Sequence, residues 1–394
     1  MASNPQPERE TSCDLLFLTN EFLPIGGGVA TYSFELANAL NQLGHKTVVV
    51  AARKTAQNMA FDQGLNFRVV RAEEYKIGLF RHLHRFFTTL KAAANCKPAL
   101  LLASDWRPGL VILLVSKLLS IPFAVSAYGT EVFLAGANRL SCWLASYVFK
   151  QATVVLSISH YTKELLCDFG VDPAKVKVVT LGVDPDKWQA TANEVAKMKQ
   201  RYGLQGKQII LTLARLTARK GHDIVLQALP SVFAAQPNAV YVIAGKGENE
   251  ANLRQLVQQL GLTQKVVFTG FVPDEEKAAL YSACDVYVLL SRQEGIQVEG
   301  FGITLLEASA CGRPVVAGWH GGVVDAVEDG VTGLLVEPDD VAGVAEALKS
   351  LLGDAVYARR LGENGRKHVE TQANWRNVAT QTWTILQQSK ANGR

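Results

Sequence analysis

In VEGFGITLLEASACGRPVVAG (residues 298–318), Glu299 and Glu307 flank a seven-residue spacer that begins Gly-Phe-Gly. The first carboxylate falls in a glycine-flanked turn; the second lies a turn or more into a helix predicted to start at Ile303. An ionised carboxylate only accepts hydrogen bonds and receives paired hydroxyls well, so Glu307 suits a ribose and Glu299 another polyol. Exposed amides at Gly300 and Gly302 can face a phosphate. Two other readings compete: an acid and base pair of the glycosidase kind, and a Glu307 buried to cap a neighbouring loop.

Cations stand elsewhere in the chain. LARLTARKGHDIVLQAL places Arg215 and Lys220 five residues apart in a short loop between a strand and a helix. A guanidinium that grips oxygens in bidentate fashion, beside a compact ammonium, suits a diphosphate whose charge rises as its ester bond breaks; the alternative is a solvated loop. NEFLPIGGGVATYSFELA brings Gly26, Gly27 and Gly28 to the start of a helix, where bare backbone and the positive end of the helix dipole receive an anion. It is not G-x-G-x-x-G, and no acid ends the following strand, which counts against NAD; a plain flexible turn is the alternative. Two further strand-end loops, AGKGENEANL and FTGFVPDEEKAALY, bring Lys246 near a phosphate and the backbone of Phe271 and Val272 to a nucleobase. Glycosidases need no diphosphate site, and three loops here offer one, so the glycosidase reading is disfavoured.

These loops need a frame to hold them. Short β-branched runs alternate with helical spacing: DLLFLTN, KTVVVAA, PALLLAS, PFAVSAY and TVVLSIS in the first half, then QIILTLARL, AVYVIAGKG, KVVFTGF, VYVLLS and PVVAG after a turn-rich stretch near 185–205. The pattern predicts an α/β chain of two Rossmann-like doubly wound domains facing across a cleft, the first over 12–188 and the second over 200–371. A helix over about 372–394 is expected to pack back on the first. A length of 394 residues agrees with two domains.

The six cysteines form no C-x-x-C pair and mostly lie in apolar runs, so buried thiols in a reducing compartment are expected. No segment reads as membrane-spanning or as a signal h-region. The net charge of +4 sits in the first 188 residues, with 19 Lys/Arg against 15 Asp/Glu; the rest carries 21 of each. Much of the excess lies in residues 76–97, where Lys76, Arg81, Arg85, Lys91 and Lys97 alternate with aromatic and leucine side chains. This basic amphipathic helix either lies on an anionic membrane surface or packs its aromatic stripe on its own sheet. A cytoplasmic protein, peripheral on the inner face of the membrane in the first case, is expected, with no nucleic-acid partner.

Seven segments, GGGVATY, SISHYTKELL, LGVDPDKW, LARLTARKG, GFVPDEEKAALY, EGFGITLLEASACGRPVVAG and GGVVDAVEDGVTGLLVEPDD, together resemble the GT-B fold, family 4 type retaining glycosyltransferases, which use sugar nucleotides. VEGFGI resembles the phosphatidylinositol mannosyltransferase branch in particular. The resemblance implies that Glu299 touches donor sugar hydroxyls, Glu307 binds the ribose, Arg215 and Lys220 hold the diphosphate, and Gly27 and Gly28 close on it. It further implies that amides at Phe301, Gly302 and Ile303 contact donor sugar or phosphate, and that catalysis rests on Arg215, Lys220 and Glu299. Many family members carry a histidine where this chain has Tyr128. A phenol is a poor base at neutral pH, so Tyr128 is expected to position a sugar. Asp105 and Glu131 are candidate acceptor contacts, with helix capping as the alternative for each.

The expected reaction is transfer of a hexosyl group, mannosyl or glucosyl/galactosyl, from a donor such as GDP-mannose or UDP-glucose to a hydroxyl of a lipid-linked or saccharide acceptor. No metal or other cofactor is expected, because side-chain cations take a metal's electrostatic role. The alternative is a sugar-nucleotide epimerase of the same architecture, acting without an acceptor.

Overall fold

A computed structural model describes residues 12–53, 55–73, 78–295 and 297–392. The chain divides into two compact units: one from the described parts of Met1–Ser157, Lys163–Val179 and Val378–Arg394, the other from Ile158–Thr162 and Thr180–Asn377. The division falls before the turn-rich 185–205 rather than within it. The reason is packing: the helix Ala192–Arg201 lies against the helix Asp274–Ala283, and Arg201 grips both oxygens of Glu276 at 2.9 and 2.8 Å. At the other end of the chain, Trp383 stacks on His45 of the first unit with ring centroids 4.2 Å apart.

The first unit holds a parallel sheet of β1 (Leu15–Thr19), β2 (Thr47–Ala51), β3 (Arg68–Arg71), β4 (Leu100–Ala103), β5 (Phe123–Ala127), β6 (Val154–Ser157) and β7 (Val176–Val178), in the order β3-β2-β1-β4-β5-β6-β7. The central strands are buried along their whole length, as unbroken apolar runs covered by helices on both faces must be. The edge strands β3 (RVVR) and β7 (VKV) carry charges and are partly exposed. That pattern blunts an edge, and it hides these strands from a search for apolar runs.

The second unit repeats the plan with β8 (Gln208–Leu213), β9 (Ala239–Ala244), β10 (Val266–Gly270), β11 (Val286–Leu289), β12 (Val315–Gly318) and β13 (Gly333–Val336), in the order β10-β9-β8-β11-β12-β13. Each sheet reverses direction of growth once, between β1 and β4 in the first unit and between β8 and β11 in the second. Open α/β sheets bind ligands outside the carboxyl ends of the strands at such a reversal.

Candidate active site

The reversal point of the second sheet collects the candidate cations. The loop after β8 forms a single 3₁₀ turn, Ala218–Lys220, and ends at Gly221 with φ +70°. A Cβ at Gly221 would stand 2.2 Å from the carbonyl oxygen of Leu290, so only glycine lets the loop lie against the exit of β11. That contact brings Lys220 to Glu299: the ammonium donates to Oε2, as do Arg219 Nη1 at 2.8 Å and the Ser291 hydroxyl at 3.1 Å. Burial alone would raise the Glu299 pKa; the Lys220 and Arg219 charges outweigh it and hold the carboxyl down at about 2. Burial lowers the Lys220 pKa, and the Glu299 carboxylate opposes that fall.

Arg219 was not singled out from the sequence, and Arg215 was. Arg215 is exposed, and its charge reaches Lys220, but it makes no ion pair among the described residues. The guanidinium that meets Glu299 belongs to Arg219; the adjacent Arg-Lys in TARKG was the available signal. The Arg219 amide also donates to Glu294 at 3.0 Å, and the Arg292 amide to the Arg219 carbonyl at 2.9 Å, which ties the loop after β8 to the loop after β11.

Gly302, at φ +86°, precedes the helix Ile303–Ala310, with Phe301 buried behind it. Glu307 accepts from the Tyr281 hydroxyl at 2.7 Å, and burial raises its pKa. Trp188 packs edge-on against Tyr281 with centroids 5.5 Å apart. Lys246 is exposed at the end of β9, the ring of Phe271 is exposed beyond β10, and Val272 is buried.

The first unit's reversal point is lined by acids. Asp105 caps the helix Trp106–Leu119, accepting from the Arg107 amide at 2.7 Å, and burial raises its pKa. Glu131 opens the helix Thr130–Gly136, 8% exposed, and accepts from the Tyr128 amide at 2.6 Å; burial pushes its pKa up to about 7. The Tyr128 ring meets Tyr32 edge-on at 5.2 Å. Its hydroxyl is buried without a partner among the described residues, and burial first, then neighbouring Tyr32, Asp105, Glu131 and Glu21, raise its pKa. Asp105 is therefore a helix cap, whereas Glu131 sits inside the first turn of a helix capped by Gly129 and reaches back to the Tyr128 amide ahead of it. Ser104, fully buried beside Asp105, also has a hydroxyl without a partner among the described residues. Gly27 caps the helix Gly28–Gln42 next to Glu21; a Cβ on Gly27 would lie 3.1 Å from Glu21 Oε2, while nothing stands within 4 Å of one on Gly28.

One expectation fails in the basic helix, which runs Gly78–Cys96. Arg85 is not a surface charge: it is buried, and its Nη1 donates to Asn20 Oδ1 at the end of β1. The periodicity put Arg85 among charges facing water, yet Phe86 and Leu90 beside it pack on the core and turn it inward. Lys76 lies outside the described residues. Phe80, Leu83 and Phe87 of the same helix are exposed, so the stripe divides between the sheet and the surface. Among the described residues, no helix is long and apolar enough to cross a membrane, and no cluster of His, Cys, Asp and Glu is arranged to hold a metal.

The model of "Glycosyltransferase Family 4" matches residues 26–187, and that of "Glycosyl transferases group 1" matches residues 194–368. A GDP-mannose-dependent alpha-(1-6)-phosphatidylinositol monomannoside mannosyltransferase of Mycobacterium tuberculosis is 31% identical over 391 residues, 94% of this chain and 97% of that protein. The protein of the same description from Mycolicibacterium smegmatis is 37% identical over 227 residues, 57% of this chain and 59% of that one. Among solved structures, Anabaena HepE in complex with UDP superposes with a TM-score of 0.80 at 21% identity, over 95% of this chain and all of that one. The epimerase alternative gains no support from these relatives. With two parallel-sheet α/β units of the GT-B type, the chain belongs to glycosyltransferase family 4 and is a glycosyltransferase using a nucleotide sugar.

Proposed function

We propose that this enzyme transfers a mannosyl group from GDP-mannose to a hydroxyl of a lipid-linked acceptor, with retention at the anomeric carbon and without a metal. The observation that carries the donor half is the Lys220, Arg219 and Glu299 cluster at the reversal point of the second sheet. Two cations held together before substrate arrives are preorganised for the charge that appears on a departing diphosphate. The bond from the anomeric carbon to the phosphate oxygen breaks, the acceptor oxygen bonds to that carbon, and the freed phosphate oxygen takes the acceptor's proton on the same face. Lys220 and Arg219, with the charge of Arg215 close to Lys220, stabilise the growing phosphate charge, while Glu299 orients the sugar. The mannosyl donor and phosphatidylinositol-like acceptor follow the relatives' descriptions.

The first unit supports a lipid-borne acceptor. Three helices, Gly78–Cys96, Trp106–Leu119 and Arg139–Gln151, pack side by side. Each exposes an apolar stripe at helical spacing: Phe80, Leu83 and Phe87; Leu114 and Leu118; Leu140, Trp143 and Tyr147. Lys117 joins the second and third stripes by donating to the Tyr147 hydroxyl at 3.1 Å. Residues 78–151 hold eight Lys/Arg and two carboxylates, and both carboxylates, Asp105 and Glu131, are buried. An apolar plateau with cations and no exposed acid suits an anionic bilayer surface, where each basic side chain contributes about 1 kcal/mol.

A thermal-shift series tests the donor: GDP is expected to raise the melting temperature more than UDP, and equal silence of both would sink the reading. NMR of the product's anomeric proton tests retention, and undiminished turnover in EDTA tests metal independence. For the surface, the protein is expected to float with phosphatidylserine vesicles at low salt, and Leu118→Ser with Trp143→Ser to abolish flotation. Wild-type protein left at the bottom of the gradient would remove the membrane from the proposal.

A further inference from the structure

The second unit contains a cavity of about 580 Å³ whose described lining includes Trp188, Lys199, Ser282, Cys311, Arg313 and Arg366 and no carboxylate. It sits at the far end of the helix Ile303–Ala310 from Gly302, and therefore away from the cations around Glu299. Three positive side chains around one hollow repel one another unless something negative joins them. Two have no counter-charge: among the described residues neither Lys199 nor Arg313 makes an ion pair. Arg366 shares only its Nε, with Glu370 at 2.8 Å.

Arg313 is the strongest part of the case. It is half-buried, and its Nε is shut from solvent without a hydrogen-bond acceptor among the described residues. The last carbonyls of the nearby helix accept backbone amides instead: Glu307 from Cys311, Ala308 from Cys311 and Arg313, and Ser309 from Gly312. A guanidinium carries five donors in a rigid fork and no acceptor, so leaving it desolvated and unpaired is costly. Its fork matches tetrahedral oxyanions, and Lys199 adds a mobile point charge. Ser282 supplies a hydroxyl, and Trp188 provides an apolar wall. The volume exceeds that of a bare phosphate and admits a short organic group attached to it.

We propose that this cavity is a second anion site, taking a phosphate group as free phosphate or as a phosphomonoester of a small polyol. Trp188 reports on it directly as part of the wall. Inorganic phosphate and glycerol phosphate are titrated separately into the full-length protein at constant ionic strength, with tryptophan fluorescence and calorimetry as readouts. A saturable signal is expected in the wild type and in Lys220→Ala, which separates this site from the donor loop. Arg313→Met and Lys199→Met are each expected to weaken binding at least tenfold, and Arg313→Lys to retain part of it. Lys199 lies on the partly exposed helix Ala192–Arg201, so its variant stays informative if Arg313→Met fails to fold. Tighter binding of glycerol phosphate identifies an organic phosphomonoester as the occupant; equal binding identifies the bare anion. No saturable signal with either probe, wild-type affinity in the Lys199→Met and Arg313→Lys proteins together, or loss of all binding in Lys220→Ala would overturn the proposal.

Discussion

The two reversal points are built from opposite materials. In the second unit, Glu299 is ionised against burial because Lys220 and Arg219 sit on one of its oxygens. In the first, Asp105 and Glu131 are buried beside backbone amides, and their negative charge is disfavoured. A site of paired ions exchanges one anion for another at little desolvation cost. A site of reluctant acids suits a neutral partner with many hydroxyls, since burial disfavours added charge there while the carboxyl oxygens still accept hydrogen bonds. The difference is the one the proposed function calls for, a place for a diphosphate in the second unit and a place for a sugar or polyol in the first.

The sharpest way to break that contrast is to remove a cation. Lys220→Ala is expected to lower kcat about 10²- to 10³-fold, the range for losing one donor to developing transition-state charge. It should leave acceptor KM nearly unchanged. Glu299 would keep Arg219, so the variant should fold, which a melting curve checks. Near-wild-type kcat in a folded variant would remove Lys220 from the chemistry.

Acidification drives the two units in opposite directions. Glu131 titrates near 4.5 when unfolded and near 7 when folded, so between those values the folded chain holds the extra proton. Its contribution to stability falls as pH rises through that window, by on the order of 3 kcal/mol in all. Glu131→Gln should flatten this loss in denaturant titrations from pH 5 to 8. His222, 1% exposed with neither ring nitrogen partnered among the described residues, behaves the other way: burial, assisted by the Lys220 charge, lowers its pKa to about 3. The unfolded chain takes up that proton below its ordinary 6.5 and the folded chain refuses it. Stability is thus lost as pH falls from 6.5 toward 3, by about 2 kcal/mol at pH 5. His222→Leu should remove that slope while leaving the Glu131 window in place.

How far the sequence reveals these places depends on what holds them. Apolar runs exposed the ten strands that are mostly central, since a strand covered on both faces must be hydrophobic throughout. They missed β3 and β7, whose charges belong to edges, and β13, half-covered beside β12. Glu299 and Lys220 were readable because their spacing and loop context are local. Arg219 was passed over because Arg215, four residues earlier in the same loop, offers the same guanidinium, and only the 3₁₀ turn Ala218–Lys220 and the approach of Gly221 to Leu290 bring Arg219 to a carboxylate 80 positions away. Arg85 was misplaced for a related reason. Helical periodicity sorts apolar from polar faces, but it does not reveal that a boundary arginine finds Asn20 beneath it.

Tyr128 offers the smallest and most discriminating effect. Its hydroxyl is shut from water with no partner among the described residues, so Tyr128→Phe removes an unsatisfied group rather than a hydrogen bond. Stability should stay level or rise by about 1 kcal/mol. If the hydroxyl waits for an acceptor sugar, the same change raises acceptor KM several-fold with kcat little altered, because a contact made equally in ground and transition states acts on KM alone. A base would show the reverse split, with kcat falling and its pH profile shifting. Burial and the surrounding acids hold the phenol protonated well above pH 10, which is incompatible with proton abstraction at neutral pH. Higher stability with a raised acceptor KM would mark the first unit's reversal point as a place that selects by hydroxyl contacts, in contrast to the ion-paired site of the second. Higher stability with both constants unchanged would leave the Tyr128 hydroxyl without a part in acceptor binding.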